Sequence, residues 1–142
     1  MPDLHEAQTD DEIEACYPVM AQLRPHVPAE GFVDLVRRLQ AGGYRLAYVK
    51  DEGEVRGVAG FRYLEQLYNG KVIYVDDLVT DQEMRSHGYG EALLDWLFEL
   101  AKSTGCKALE LDSGVHRAAA HRFYFRERMT IVAFHFVRPC DA

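Results

Sequence analysis

Arg85-Ser86-His87-Gly88-Tyr89-Gly90 is the run whose residue types most directly imply chemistry. It lies between a β-branched stretch ending near Thr80 and a stretch of helical spacing that starts near Gly88. A helix start offers N–H groups without intrahelical partners and the positive end of the helix dipole. Glycines let backbone approach a pyrophosphate closely, and Arg85 adds positive charge. The run reads as an anion site for a diphosphate-bearing cofactor. The plain alternative is a tight strand-to-helix turn and nothing more. Two rival nucleotide motifs do not match: the dinucleotide fingerprint needs a third glycine where Leu93 stands, and the P-loop's Gly-Lys-Ser/Thr is absent.

Asp76 and Asp77 interrupt the β-branched stretch just before this turn. Successive strand residues face opposite sides, so a regular strand sends only one of them into a given cleft. Asp76, then Asp77, is the candidate general base; the alternative for each is a hydrogen bond to nearby backbone. Glu110 is a further candidate. Tyr124 carries a phenol able to donate a proton, against the ordinary fate of Phe123 and Tyr124 as core aromatics. His116, His121 and His135 lack a close metal-ligand spacing, and Cys16, Cys106 and Cys140 form no C-x-x-C, so no metal site is expected. Tyr17, Arg24, His26, Tyr63 and Tyr68 are available to a second substrate, with a solvated surface role the default for Arg24 and His26.

The elements that must position these groups follow from periodicity. Leu4 to Gln8 reads as a strand. Thr9 and Glu12 form a capping-box pattern ahead of a helix carrying Ile13, Cys16, Met20 and Leu23, with a kink or early break expected at Pro18. A second helix presents Phe32, Leu35, Val36 and Leu39 and stops at Gly42-Gly43. Strands follow at Tyr44 to Lys50, Val55 to Leu64 and Lys71 to Val79, joined by turns at Asp51–Glu54 and at Tyr68-Asn69-Gly70. A helix from Gly88 to Ser103, a strand from Lys107 to Asp112, a helix from Arg117 to Arg128 and a strand from Thr130 to Val137 complete the order βααβββαβαβ. The strand–helix–strand crossover implies a parallel pair in a mixed, mainly antiparallel α/β sheet flanked by helices.

A chain of 142 residues fits one domain over 1–142, and 48% hydrophobic residues suffice for a core at that size. The formal net charge of -7 argues against a nucleic-acid partner, whose affinity rests on Lys and Arg. The N-terminal residues lack a signal-peptide pattern, and no apolar run approaches a membrane span. Few, odd-numbered cysteines fit a reducing, cytoplasmic setting.

Leu78-Val79-Thr80 followed by Arg85-Ser86-His87-Gly88-Tyr89-Gly90 resembles the signature of the GNAT superfamily of N-acetyltransferases. Ala120-His121-Arg122-Phe123-Tyr124 resembles its second motif, and the element order is that of its fold. Ala120 to Glu127 looks like the bacterial branch that includes aminoalkylphosphonate N-acetyltransferases. The resemblance implies acetyl-CoA as cosubstrate, a small-molecule amine as acceptor and a homodimer. A protein acceptor, or a non-catalytic acyl-CoA-binding module, is the alternative. It further implies that Leu78, Val79 and Thr80 lie along the pantetheine, with a bulge that frees the Leu78 or Val79 N–H for the thioester oxygen. Arg85, Ser86, His87, Gly88, Tyr89 and Gly90 would hold the diphosphate, and Tyr124 would protonate the leaving thiolate. Two departures stand out: Arg117 replaces the family's usual asparagine, where it would reach a phosphate, and Arg128 replaces a helix-ending glycine.

Overall fold

The computed structural model describes residues 2–141. They form two compact units, 2–111 and 112–141. The first holds β1 (Asp3–Glu6), α1 (Asp10–Leu23), α2 (Phe32–Ala41), β2 (Arg45–Asp51), β3 (Glu54–Gln66), β4 (Gly70–Thr80), α3 (Tyr89–Ser103) and β5 (Ala108–Leu111). The second holds α4 (Ala118–Arg126).

The capping box is formed as the sequence indicates: Glu12 N–H donates to Thr9 Oγ1 at 3.1 Å, and Thr9 N–H donates to Glu12 Oε1 at 3.0 Å. Pro18 does not break α1, which runs unbroken to Leu23. Burial of Ile13, Cys16, Val19 and Met20 on both sides of the proline offsets the one missing backbone donor. The β2–β3 hairpin turns through Glu52 and Gly53, both at positive φ, as a tight hairpin requires.

The five strands lie in the order β1-β2-β3-β4-β5. The first three pairs are antiparallel and β4–β5 is parallel, with α3 as the crossover. The sheet is therefore mixed and mainly antiparallel, as expected. Its two faces carry separate cores. Ile13, Cys16, Phe32, Val36, Leu46 and Val58 fill the α1/α2 side. Ala59, Phe61, Ile73, Leu93 and Leu97 fill the α3 side.

The element order matches expectation from β1 through α4. Thr130–Val137, expected as the closing strand, has no ladder partner within its own unit. A strand is defined by pairing, and that unit holds no second strand to pair with.

Candidate active site

The site is organised by an irregularity in β4. The β3–β4 register runs Gly60↔Asp77 and then Phe61↔Val75, which leaves Asp76 as the extra residue of a β-bulge. A regular strand would send Asp76 and Asp77 to opposite faces; the bulge, which the family resemblance implies for this strand, changes that. Asp77 Oδ1 accepts from Arg24 Nε at 2.9 Å, and its Oδ2 accepts from the Tyr44 hydroxyl at 2.7 Å. Asp76 accepts from Arg62 Nε and Nη2, the latter at 2.6 Å. The Arg62 guanidinium lies 5.6 Å from the centre of the Tyr44 ring. Both carboxylates therefore join one cluster with Tyr44 on the α1/α2 side.

Burial, with Asp77 alongside, pushes the Tyr44 phenol far above its ordinary pKa, so it stays protonated and donates. The hydrogen bond to Asp76 raises the Arg62 guanidinium further. Gly60 makes the arrangement possible. A Cβ there would overlap Tyr44 Oη and Cζ and sit 2.6 Å from Asp77 Oδ2. Arg24, expected at the solvated surface, instead spends its fork on β4, with Nη2 donating to the Asp76 carbonyl at 3.0 Å.

Among the described residues, β4 has no ladder pairing with β5 beyond the bulge. Pairing with β5 runs from Val72↔Ala108 to Val75↔Leu111, and β4 continues to Thr80. Asp81 N–H donates to Arg56 O across β3 at 2.8 Å. Strand alternation then turns the Val79 amide toward β3 and the Leu78 and Thr80 amides outward. Of the two donors expected from the sequence, Leu78 is the one that faces away from β3. The Leu78 side chain packs with the α3-side core and Val79 with the other, consistent with this alternation.

β4 leads through a 3-10 turn at Gln82–Met84 into the start of α3. Gly88 is the N-cap at φ 82, in open space, with no side-chain cap. The first helical bond is Ala92 N–H to Gly88 O at 3.0 Å, so the amides of Tyr89, Gly90 and Glu91 precede the ladder. Arg85, Ser86 and His87 are exposed around them. The His87 ring folds back, its Nδ1 3.0 Å from Met84 O, which leaves its amide as its contribution to the turn. Tyr89 is buried, and its hydroxyl donates to Asp51 Oδ2 at 2.7 Å, anchoring the helix start to the β2–β3 hairpin. That bond raises the Tyr89 phenol. Glu110 lies elsewhere on the sheet, accepting from Asn69 Nδ2 at 2.5 Å.

In the second unit, α4 carries Tyr124 half-buried. Burial raises its phenol pKa, and Arg117 at the N-cap opposes the shift. His121 Nε2 lies 2.8 Å from Gly114 O, and His135 Nδ1 lies 2.9 Å from Asp112 Oδ2. Arg128 takes the left-handed conformation at φ 67. Its N–H donates to Phe125 O and that of Met129 to Tyr124 O, which closes the helix as a glycine would.

A family model described as the acetyltransferase (GNAT) family matches residues 4–129. The chain belongs to the GNAT acetyltransferase family. It is 29% identical over 141 residues to an uncharacterised N-acetyltransferase, YhdJ, of Bacillus subtilis, covering 98% of this chain and 99% of that one. It is 34% identical over 96 residues to the aminoalkylphosphonate N-acetyltransferase of Salmonella typhimurium, covering 67% of this chain and 61% of that one. Its fold superposes on ribosomal-protein-alanine N-acetyltransferase from Brucella melitensis with a TM-score of 0.84 at 17% identity, over 98% of this chain and 99% of the other. As a GNAT enzyme it is an acetyltransferase, and none of the described helices is long and apolar enough to cross a membrane.

The GNAT motifs bring the turn and β4 together, but they omit Arg24, Tyr44, Gly60 and Arg62. Arg24 stands out in the sequence only as a residue available to a second substrate, and Gly60 as one of two glycines, with Gly57, inside an aromatic and β-branched strand, a mark of close backbone approach.

Proposed function

We propose that this enzyme transfers the acetyl group of acetyl-CoA to the primary amine of a small molecule by direct attack on the thioester. The outward Leu78 and Thr80 amides of β4 beyond its bulge, leading into a helix start with no side-chain cap, carry this reading. The residues fit the cosubstrate: free amides at Tyr89, Gly90 and Glu91, an exposed Arg85, and a glycine N-cap with space in front of it. Together they match a diphosphate in charge and shape. The thioester is the activated acyl donor.

Leu78 N–H is the donor for the carbonyl oxygen as it gains charge. Thr80 extends the same row of outward amides along the pantetheine. Tyr124, protonated at neutral pH, gives its proton to the departing thiolate, the role its family position implies. Arg117 reaches a cosubstrate phosphate. Asp76 and Asp77 already accept from arginines, so taking up a proton would break an ion pair. We assign them to holding the strand. An aminoalkylphosphonate is the first acceptor to try, given the relative that acts on one. The three free cysteines support a reducing, cytoplasmic setting.

The test is thiol release from acetyl-CoA against aminoalkylphosphonates, amino acids, polyamines and N-terminal peptides. Release driven by a small amine supports the proposal. Release driven by peptides alone would move the acceptor class to protein.

A further inference from the structure

We infer that Arg24 is a positioning residue for acetyl transfer, clamping the bulge of β4 so that the Leu78 N–H points along a fixed direction. The inference rests on the reading of Leu78 N–H as the donor to the carbonyl oxygen.

Arg24 is the C-cap of α1, its own N–H bonded to Met20 O. From there its side chain crosses to β4, 53 residues away, and makes two bonds at once. Nε holds the Asp77 carboxylate at 2.9 Å and Nη2 holds the Asp76 carbonyl at 3.0 Å. A bulge leaves its extra residue without a place in the ladder, and here the guanidinium supplies a donor to that residue's carbonyl. The Tyr44 hydroxyl grips the other oxygen of Asp77, and Arg62 grips the Asp76 side chain. The residues immediately before Leu78 are thus pinned from α1, β3 and the start of β2. The planar fork reaches the carboxylate and the carbonyl from two nitrogens held in fixed geometry, which the single nitrogen of a lysine ammonium does not reproduce.

Arg24 is 41% exposed and Asp77 14%, so solvent screens the pair from the arginine side and it contributes less to stability than the bond from buried Tyr44. A clamp of this kind shows in turnover out of proportion to folding. Arg24→Ala and Arg24→Lys are expected to lower kcat by about 10- to 100-fold, a large share of the value of one oxyanion donor. The KM for acetyl-CoA and the melting temperature should stay close to the wild type. Guanidinium ion should restore part of the rate to Arg24→Ala. Arg37→Ala, which removes another loop-bridging arginine that holds Asp10 and Gln8 O, is the control and should leave kcat unchanged.

The free protein gives an independent readout. The Leu78 amide resonance in a 15N–1H spectrum should move in Arg24→Ala and stay fixed in Arg37→Ala. A wild-type kcat in either Arg24 variant, or an unmoved Leu78 amide, overturns the clamp. A wild-type protein that acetylates no amine while the Leu78 amide still moves would overturn the functional reading and leave the clamp standing.

Discussion

Replacing Gly60 by alanine tests whether the bulge and its cluster are a single packed unit. The added methyl would overlap Tyr44 Oη and Cζ and press on Asp77 Oδ2 at 2.6 Å. Tyr44 is buried, at 4% exposure, and cannot swing into solvent. Forcing it aside carries an overpacking penalty of about 1–3 kcal/mol. Losing its hydrogen bond to the Asp77 carboxylate, which is 14% exposed, adds about 1.5–3 kcal/mol. The sum, roughly 2.5–6 kcal/mol, is a large fraction of the ~5–15 kcal/mol that holds a domain of this kind. Urea unfolding followed by circular dichroism reads it, with a melting point lowered by about 10–20 °C. Gly105→Ala is the control: its φ is 78 but nothing lies near a Cβ, so only backbone strain of about 1–2 kcal/mol applies. A Gly60→Ala protein within about 0.5 kcal/mol of the wild type would refute the reasoning, since harmless surface changes fall in that range.

Arg128→Gly should stabilise the protein by about 0.5–1 kcal/mol in urea unfolding, because glycine takes φ 67 without strain and gives back part of that gain in chain entropy. Glu12 is held down to about 2 from 4.5, first by the Tyr48 hydroxyl and then by the Thr9 and Gln8 amides. A depressed folded pKa gives stability that is full above the unfolded value and is lost as pH falls toward the folded one. Urea midpoints should therefore fall between those two pH values in the wild type, and by less in Glu12→Gln. Tyr124→Phe should lower kcat for thiol release by about 10²-fold or more with acetyl-CoA affinity retained, and unchanged turnover would remove the phenol from the mechanism.

The parts legible in the sequence are those fixed by neighbours in the chain. The Thr9–Glu12 box, the β-hairpins and the glycine-opened α3 are short-range patterns, and each formed as read. The strand-to-helix turn was legible for the same reason, since the amides of Tyr89 and Gly90 are freed by the helix geometry itself. A bulge in β4 is implied by the family resemblance, but its place at Asp76 depends on register with Gly60, sixteen positions back, and alternation alone gives the wrong faces for the two carboxylates. Arg24 reads as surface because its partners lie on another layer of the fold. Pro18 reads as a break because the burial on either side of it is a tertiary property. Thr130–Val137 has the composition of a strand, but a strand is completed only by a partner.

Whether the Asp76 carboxylate is a clamp or a base can be separated by the shape of a pH profile. A general base imposes an acidic limb on kcat/KM, because its proton must be gone before it can work. Asp76→Asn would abolish or displace that limb if the carboxylate were the base. As a partner of Arg62, the asparagine keeps one oxygen to accept from the guanidinium while the charge of the pair is lost. The limb should then stay where it is, set by other groups or by the amine itself, while the plateau falls by about 10-fold, the cost of a loosened strand. Two guanidiniums and two carboxylates around one neutral phenol leave the cluster without net charge. Such a cluster is suited to fixing backbone direction and poorly suited to collecting a proton, so a profile that loses its acidic limb in Asp76→Asn would reverse the assignment.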